Sequence, residues 1–304
     1  MQAKIYKSFE ERYKGLLAEE YSKLLEAIKT GVRPCIRVNT LKIEKDKLAE
    51  SLQAKGWKLE QVPWYGNAFF VHADTLSKAL EHALGYYFIQ DASSLVPPLV
   101  LSPQPTEAVL DLCAAPGSKT TFMAELMQNK GMLVANDLNI KRLKALACNL
   151  QRMGVVNAIV TSYDGRSLFK KGWKFDKILL DAPCSGSGTV ASSQSALLFW
   201  SEKAVKKLSN VQKDLLASAA KMLKEGGTLV YSTCSMDVEE NEAVIDFAVR
   251  KLGMKTEKID VPGLKYRQGI SEHDGKQFAG AGDCIRFYPF DNQTEGFFVC
   301  KLKK

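Results

Sequence analysis

The seven cysteines include no C-x-x-C pair, and the three histidines, His72, His82 and His273, all lie away from metal-site spacing. A zinc site is therefore not expected. No apolar stretch approaches the roughly 20 residues that a membrane-spanning helix needs. The opening Met1-Gln2-Ala3-Lys4 lacks the apolar core of a secretory signal, and with an odd cysteine count this points to a reducing cytoplasm. Internal repeats, low-complexity tracts and zinc knuckles are absent. So is the G-x-G-x-x-G fingerprint, which leaves nicotinamide chemistry little support. In Gly117-Ser118-Lys119-Thr120 a serine separates glycine from lysine, and the glycine that a phosphate-cradling loop needs five positions earlier is missing.

What remains is a chain of 304 residues, 46% hydrophobic and 25% charged, the composition of a globular protein with one large domain and a smaller one. The formal net charge of +8 favours an acidic partner such as nucleic acid.

Ile5, Phe9, Tyr13, Leu16, Leu17, Tyr21, Leu24, Leu25 and Ile28 recur at intervals of three and four, which predicts one amphipathic helix over residues 5–28, stopped near Gly31. A strand over 35–39, a helix over 44–55, strands near 57–62 and 68–72 and a short helix near 75–83 complete a small α+β unit. Pro97, Pro98, Pro103 and Pro105 place its boundary, giving expected domains 1–102 and 103–304. Beyond it, strands are predicted over 108–113, 132–136, 157–162, 176–181 and 228–233, and helices over 118–129, 139–153, 201–223 and 239–252. That alternation implies an α/β fold with a mostly parallel sheet. Two late runs, Cys284-Ile285-Arg286-Phe287-Tyr288 and Gly296-Phe297-Phe298-Val299-Cys300, are expected to pair antiparallel at one edge, for seven strands in all.

The candidate chemistry clusters just past the predicted strands, where open α/β sheets place their ligands. Cys184 lies in Asp181-Ala182-Pro183-Cys184-Ser185-Gly186-Ser187-Gly188-Thr189 and Cys234 in Ser232-Thr233-Cys234-Ser235. The turn Cys113-Ala114-Ala115-Pro116-Gly117-Ser118-Lys119 opens a helix, whose free N–H groups suit an anionic ligand group. Asp137 and Asp164 follow the second and third strands and Asp181 closes the fourth, and an acid after the second strand can accept hydrogen bonds from a ribose diol. Two thiols beside one ligand turn suggest covalent group transfer. Cys35, Cys148, Cys284 and Cys300 sit in apolar patterns and read as packing residues, while Cys113 reads as contributing backbone.

These segments, together with Arg37-Val38-Asn39-Thr40, Gln90-Asp91-Ala92-Ser93-Ser94, Asn136-Asp137-Leu138-Asn139-Ile140-Lys141-Arg142 and Thr294-Glu295-Gly296-Phe297-Phe298, resemble the motifs of the S-adenosylmethionine-dependent RNA cytosine-5 methyltransferases. The resemblance implies a Rossmann-like class I methyltransferase fold and S-adenosyl-L-methionine as cofactor. It places the methionine part on residues 113–119, the ribose on Asp137, the adenine on Asp164, and Arg142 nearby. Asp181 would touch the pyrimidine near nitrogen 3 and lie beside the cofactor. It implies Cys234 as the nucleophile that adds to carbon 6 of cytosine, because carbon 5 alone is too weak a nucleophile to attack a sulfonium methyl group. Cys184 would assist release. One departure is that the family usually continues Arg-x-x-Pro with histidine, whereas Arg286-Phe287-Tyr288-Pro289 is followed by Phe290.

The compact chain looks most like the archaeal tRNA members, with ribosomal RNA as the alternative substrate. A DNA cytosine-5 methyltransferase would use Pro183-Cys184 and would not need Cys234, whereas a noncatalytic RNA-binding or ribosome-assembly factor would need neither thiol. The expected partner is RNA, with no membrane and no metal. A monomer is expected, and a protein partner stays open. Lys141, Arg142 and Lys144, Lys170, Lys171 and Lys174, Lys203, Lys206 and Lys207, and Lys301, Lys303 and Lys304 are candidates for a phosphate track. Tyr163, Phe199 and Trp200 are candidates to support a splayed base.

Overall fold

The computed structural model describes residues 2–73 and 75–304, with side-chain surroundings from Lys7 onward, so that Ile5 of the predicted apolar face lies outside the described side chains. The first element is not one helix but two, α1 (Gln2–Leu17) and α2 (Tyr21–Thr30), separated by a 3-10 turn. Ala18 is left-handed there, with φ of 49°. The break lets Phe9, Tyr13, Leu17, Tyr21 and Leu24 all reach one curved surface made by Val190, Leu197, Trp200, Met236 and Tyr288. A straight helix would carry part of that face away from it.

The small unit contains β1 (Cys35–Val38), α3 (Lys45–Gln53), β2 (Lys58–Gln61), β3 (Ala68–His72), the one-turn α4 (Leu80–Ala83) and β4 (Tyr87–Ile89). Its four strands are ordered β2-β3-β1-β4, all antiparallel. The prolines that follow punctuate a helix: Pro97 and Pro98 occupy the first turn of α5 (Val96–Leu101), where a missing N–H is tolerated, and both are buried.

The remaining elements are β5 (Ala108–Asp111), α6 (Ser118–Leu126), β6 (Met132–Asn136), α7 (Ile140–Met153), β7 (Ala158–Thr161), β8 (Phe175–Asp181), α8 (Ala196–Phe199), α9 (Glu202–Met222), β9 (Leu223–Thr233), α10 (Glu242–Leu252), β10 (Lys255–Glu257), β11 (Arg267–Gln268), β12 (Glu272–His273), β13 (Lys276–Gln277), β14 (Ile285–Phe287), α11 (Pro289–Asn292) and β15 (Phe297–Lys303). The large sheet runs β11-β14-β15-β9-β8-β5-β6-β7, with β10 on β15. The seven expected strands are present, and two short ones bring the total to nine. β5 to β9 pair in parallel, and β15 enters antiparallel between β9 and β14. The two late runs therefore do pair with each other, one strand in from the rim because β11 covers β14.

Alternation along the parallel strands builds two cores. Val109, Leu133, Leu179 and Val230 pack toward Phe122, Met123 and Leu101, and onward to Cys35 and Phe70 of the small sheet. Leu110, Val134, Ile178, Leu229 and Tyr231 face Leu215, Leu216 and Ala219 of α9 and Val244, Ile245 and Ala248 of α10.

The small sheet is tied to the large one by alternate residues 37 and 39. Arg37, fully buried, donates to Gln90 Oε1 at 2.7 Å, Ser118 O at 2.8 Å and Thr121 Oγ1 at 2.8 Å, and pairs with Glu125 at 2.9 Å. Asn39 Nδ2 donates to Gly85 O at 2.7 Å and Met153 O at 2.8 Å. Removing one partner of a buried ion pair leaves the other charge without compensation. Arg37→Ala is thus expected to destabilise the protein by about 3–5 kcal/mol in urea unfolding, against less than about 1 kcal/mol for the exposed Lys203→Ala.

Candidate active site

The carboxyl ends of β5, β6, β7, β8 and β9 open onto one cleft of about 540 Å³. Its walls include Cys113, Ala115, Asp137, Arg142, Asp164, Asp181, Cys184 and Cys234, with Leu112, Leu138, Val211 and Leu215 as the apolar part. A second cavity of about 310 Å³ lies on the other side, lined by Phe88, Gln90, Asp91, Pro116, Ser118, Lys119, Glu295 and Phe297. Asp181, Ala182 and Cys234 border both, so two ligands can meet at these residues. A smaller space of about 120 Å³ includes Ala114, Ala115, Pro116, Ser118 and Lys119 in its walls.

Strand register brings the thiols together. Asp181 of β8 pairs with Ser232 of β9, so Cys184 and Cys234 emerge side by side, and their sulfurs are 3.3 Å apart. The hydrogen bond to Cys234 and then burial push the Cys184 thiol well above its usual pKa. Cys184 is thereby held as the thiol, and either sulfur can be the donor in the contact between them. Asp181 accepts from Lys119 Nζ at 2.6 Å and from Ser232 Oγ at 2.8 Å. Burial opposes a charge on Lys119, but Asp181 outweighs it and holds the ammonium above its ordinary range.

The ligand turn carries Gly117 with φ of 106°, a left-handed position where a Cβ would meet Leu146 Cδ1 at 2.8 Å. Gly117 thus serves close packing of the turn on α7 and, unlike its neighbours in 113–119, lines none of these spaces. Ser118 and Lys119 face the second cavity and the small space, not the larger cleft. Burial raises the Cys113 thiol, which stays protonated. Asp137 accepts from Ala115 N at 3.2 Å and Asn139 N at 2.8 Å. Arg142 pairs with Asp137 at 3.5 Å and donates to Ala115 O, so it braces the acid against the turn. Asp164 pairs with Arg166 at 2.6 Å, and hydrogen bonding from Arg166 lowers its carboxyl.

Several residues that the sequence patterns did not single out complete the site. Asp237, fully buried, accepts from Arg12 Nε at 2.7 Å, Ser187 Oγ at 2.8 Å, Ser185 Oγ at 3.2 Å, Ser235 Oγ at 3.3 Å and Trp200 Nε1 at 3.2 Å. Both cysteine loops and α1 meet on this carboxylate. The predicted helix over 239–252 starts late because Asn241 bonds back to the Cys234 loop, donating to Ser235 O at 2.8 Å and accepting from Thr233 Oγ1 at 2.6 Å. Asp91 and Glu295 line the second cavity, and burial pushes the Glu295 carboxyl up to about 7. Their segments were noticed, but nothing in local spacing shows that residues 91 and 295 face each other.

Other candidates fall elsewhere. Trp200 is core, edge-on to Phe9 at 5.2 Å, whereas Phe199 is 78% exposed. Tyr163 packs on Trp173 at 6.1 Å under Lys171. Cys148 is exposed on α7, contrary to its apolar neighbourhood in sequence. Lys303 pairs with Thr228 and Phe298 with Thr233, so the terminal lysines lie at the far end of the sheet from the thiols. Lys174 reaches Lys221 O near that same end. Lys141 and Arg142 begin α7 beside the cleft. Phe290 stacks on Tyr288 at 5.6 Å beneath Arg267, away from both cavities. Among the described residues no cluster of three or more His, Cys, Asp or Glu is arranged to hold a metal, and no helix is long and apolar enough to cross a membrane.

The chain is similar to known proteins in both sequence and fold. Residues 98–303 match the family described as 16S rRNA methyltransferase RsmB/F, and residues 5–92 the N-terminal domain of 16S rRNA methyltransferase RsmF. The chain belongs to the RsmB/F methyltransferase family. It is 41% identical to a tRNA (cytosine(49)-C(5))-methyltransferase of Pyrococcus abyssi over 95% of both chains. It is equally identical, over 90% of its length, to the ribosomal RNA small subunit methyltransferase F of Vibrio campbellii, of which it spans only 57%. The crystal structure of NSun6 from Pyrococcus horikoshii with SFG superposes with a TM-score of 0.87 at 28% identity, covering 97% of each chain. The family resemblance, class I fold and S-adenosylmethionine dependence expected from the sequence are thereby borne out.

The close approach of the two cysteine loops needs Gly188, where a Cβ would fall 2.3 Å from Gly296 O and 2.8 Å from Cys234 O. Gly188→Ala is expected to push the loops apart, lowering methyl transfer at least about tenfold and stability by about 1–3 kcal/mol, measured by radiolabel incorporation and thermal melting.

Proposed function

We propose that this protein transfers the methyl group of S-adenosyl-L-methionine to carbon 5 of a cytosine in tRNA, through a thioether between Cys234 and carbon 6 that is resolved with the help of Cys184. The observation that carries this reading is Cys234 on the border of two cavities, 3.3 Å from Cys184.

The larger cleft suits the cofactor by its donor set: carboxylates of Asp137 and Asp164 for ribose and adenine, apolar walls at Leu138 and Leu215, and a backbone turn at 113–116 for the amino-acid end. Bound there, the cofactor supplies an electrophilic methyl group. The second cavity takes the base, with Asp181 and Lys119 facing its polar edge. Asp181 steadies charge on the ring while Cys234 adds to carbon 6 and loads electron density onto carbon 5. After transfer, carbon 5 carries both a methyl group and a proton. Cys184, having lost its own proton to solvent in the open cleft, takes the proton from carbon 5; the carbon 5–carbon 6 double bond re-forms, the carbon–sulfur bond breaks and Cys234 leaves as thiolate.

The change in Cys184 follows from electrostatics. The hydrogen bond to Cys234 is the leading cause of its high pKa in the free enzyme. Once the Cys234 sulfur is tied up in a neutral thioether, that cause is gone and Cys184 ionises more readily.

The tRNA reading rests on the match to the Pyrococcus tRNA enzyme over 95% of both chains. Ribosomal RNA is the second reading, favoured by the family matches and the Vibrio relative. We place the protein in the cytoplasm, acting as a monomer. Methylation of tRNA and small-subunit rRNA transcripts with labelled cofactor, followed by bisulfite sequencing, separates the two substrates. Cys234→Ala is expected to abolish 5-methylcytosine formation. Cys184→Ala is expected to accumulate an RNA–protein species that survives denaturation. Equal activity of both variants would overturn the assignment.

A further inference from the structure

Cys184 is carried by a loop whose two flanking residues are each gripped by a buried side chain. On one side, Gln212 of α9 donates Nε2 to Pro183 O at 3.0 Å. On the other, Glu240 accepts from Ser185 N at 2.9 Å and from Ser185 Oγ at 2.5 Å. The two grips are joined, because the same Gln212 Nε2 donates to Glu240 Oε1 at 3.0 Å. Neither residue has any exposed surface. Glu240 also accepts, through its main-chain oxygen, the Tyr231 hydroxyl at 2.5 Å, and Tyr231 lies on β9 three residues before Cys234. One residue thus measures the Cys184 loop against the strand that presents Cys234.

This arrangement is costly for a purely structural device. The partners of the Glu240 carboxylate here are neutral N–H and O–H groups, and burial pushes its pKa up to about 7. Gln212 Oε1 is buried without a hydrogen-bond partner among the described residues. Apolar side chains would fill the same space with less penalty. What apolar side chains cannot do is fix a peptide carbonyl and the N–H two residues later in one relative position.

We infer that Glu240 and Gln212 are positioning residues that hold Cys184 for the release half of the reaction, through the backbone on either side of it. The inference rests on the adduct mechanism proposed above. Neither residue lines the cofactor cleft or the second cavity, so attack by Cys234 does not need them. Release does, because proton transfer from carbon 5 depends on where the Cys184 sulfur sits, and small displacements of a reacting group lower its rate steeply.

The test uses the intact enzyme with unmodified tRNA transcript and labelled S-adenosylmethionine, comparing Glu240→Gln, Gln212→Leu and Cys184→Ala. Glu240→Gln places an amide donor against donors, and Gln212→Leu removes both of its hydrogen bonds at similar volume, so the two variants break the clamp from opposite sides. The expected result is first-turnover methyl transfer within about twofold of wild type, multiple turnover reduced about tenfold or more, and a covalent RNA–protein band on a denaturing gel in both clamp variants. The band must vanish in the Glu240→Gln, Cys234→Ala double variant. A merely structural role predicts instead a lowered melting temperature with first turnover and adduct lost together, and that outcome overturns the inference, as does wild-type turnover. If Cys184→Ala itself traps no adduct, the mechanism fails; if it does and neither clamp variant does, only the positioning role fails.

Discussion

Asp237 is the buried carboxylate on which the geometry of the site depends. It gathers hydroxyls from Ser185 and Ser187 of one cysteine loop and Ser235 of the other, the Trp200 indole, and the Arg12 guanidinium from the first helix. Charge-assisted hydrogen bonds of this kind are short and directional. The pairing of Asp181 with Ser232 brings the two loops out side by side, and this knot ties them to each other and to the first helix. The knot also explains why the first helix is broken: Arg12 must reach inward while Leu17 to Leu24 follow the curved surface beyond.

Polar groups are buried in this protein where separate parts must keep a fixed spacing. Arg37 joins the small sheet to the start of α6, whose Lys119 faces Asp181. Asn39 joins the same sheet to the end of α7, whose beginning faces the larger cleft. The two cavities are therefore referenced to one frame, although only the second takes part of its wall from the small sheet. Apolar packing on the two faces of the large sheet supplies cohesion without direction. Hydrogen bonds from Arg37, Asn39 and Asp237 supply the direction.

Much of this was legible from local pattern. The alternating runs ending at Asp111, Asn136, Asp181 and Thr233 are strands, and the turn residues after them mark the ligand side. Serine at position 201 and asparagine at 139 cap α9 and α7 as their types suggest. The pattern failed where a distant contact overrode it. Residues 5–28 keep a helical period through a break that only the shape of the surface beneath requires. The helix expected from 239 starts at Glu242 because Asn241 is recruited by the Cys234 loop. Local pattern also does not show that Lys301, Lys303 and Lys304 run toward the end of the sheet away from the thiols, which the register of β15 against β9 decides.

Read as a string, the chain already marks its strands, the turn after the first of the parallel strands, its two candidate thiols and the acids at the strand ends, because each depends on the side-chain period and turn chemistry of a few neighbouring residues. It does not reveal that the two sulfurs touch, that Asp181 and Cys234 border both cavities, or that Glu240 and Gln212 grip the loop between them. Those facts come from the pairing of Asp181 with Ser232 and from hydrogen bonds joining residues 29 and 55 positions apart. Such contacts follow from how whole layers pack, and no local period carries that information.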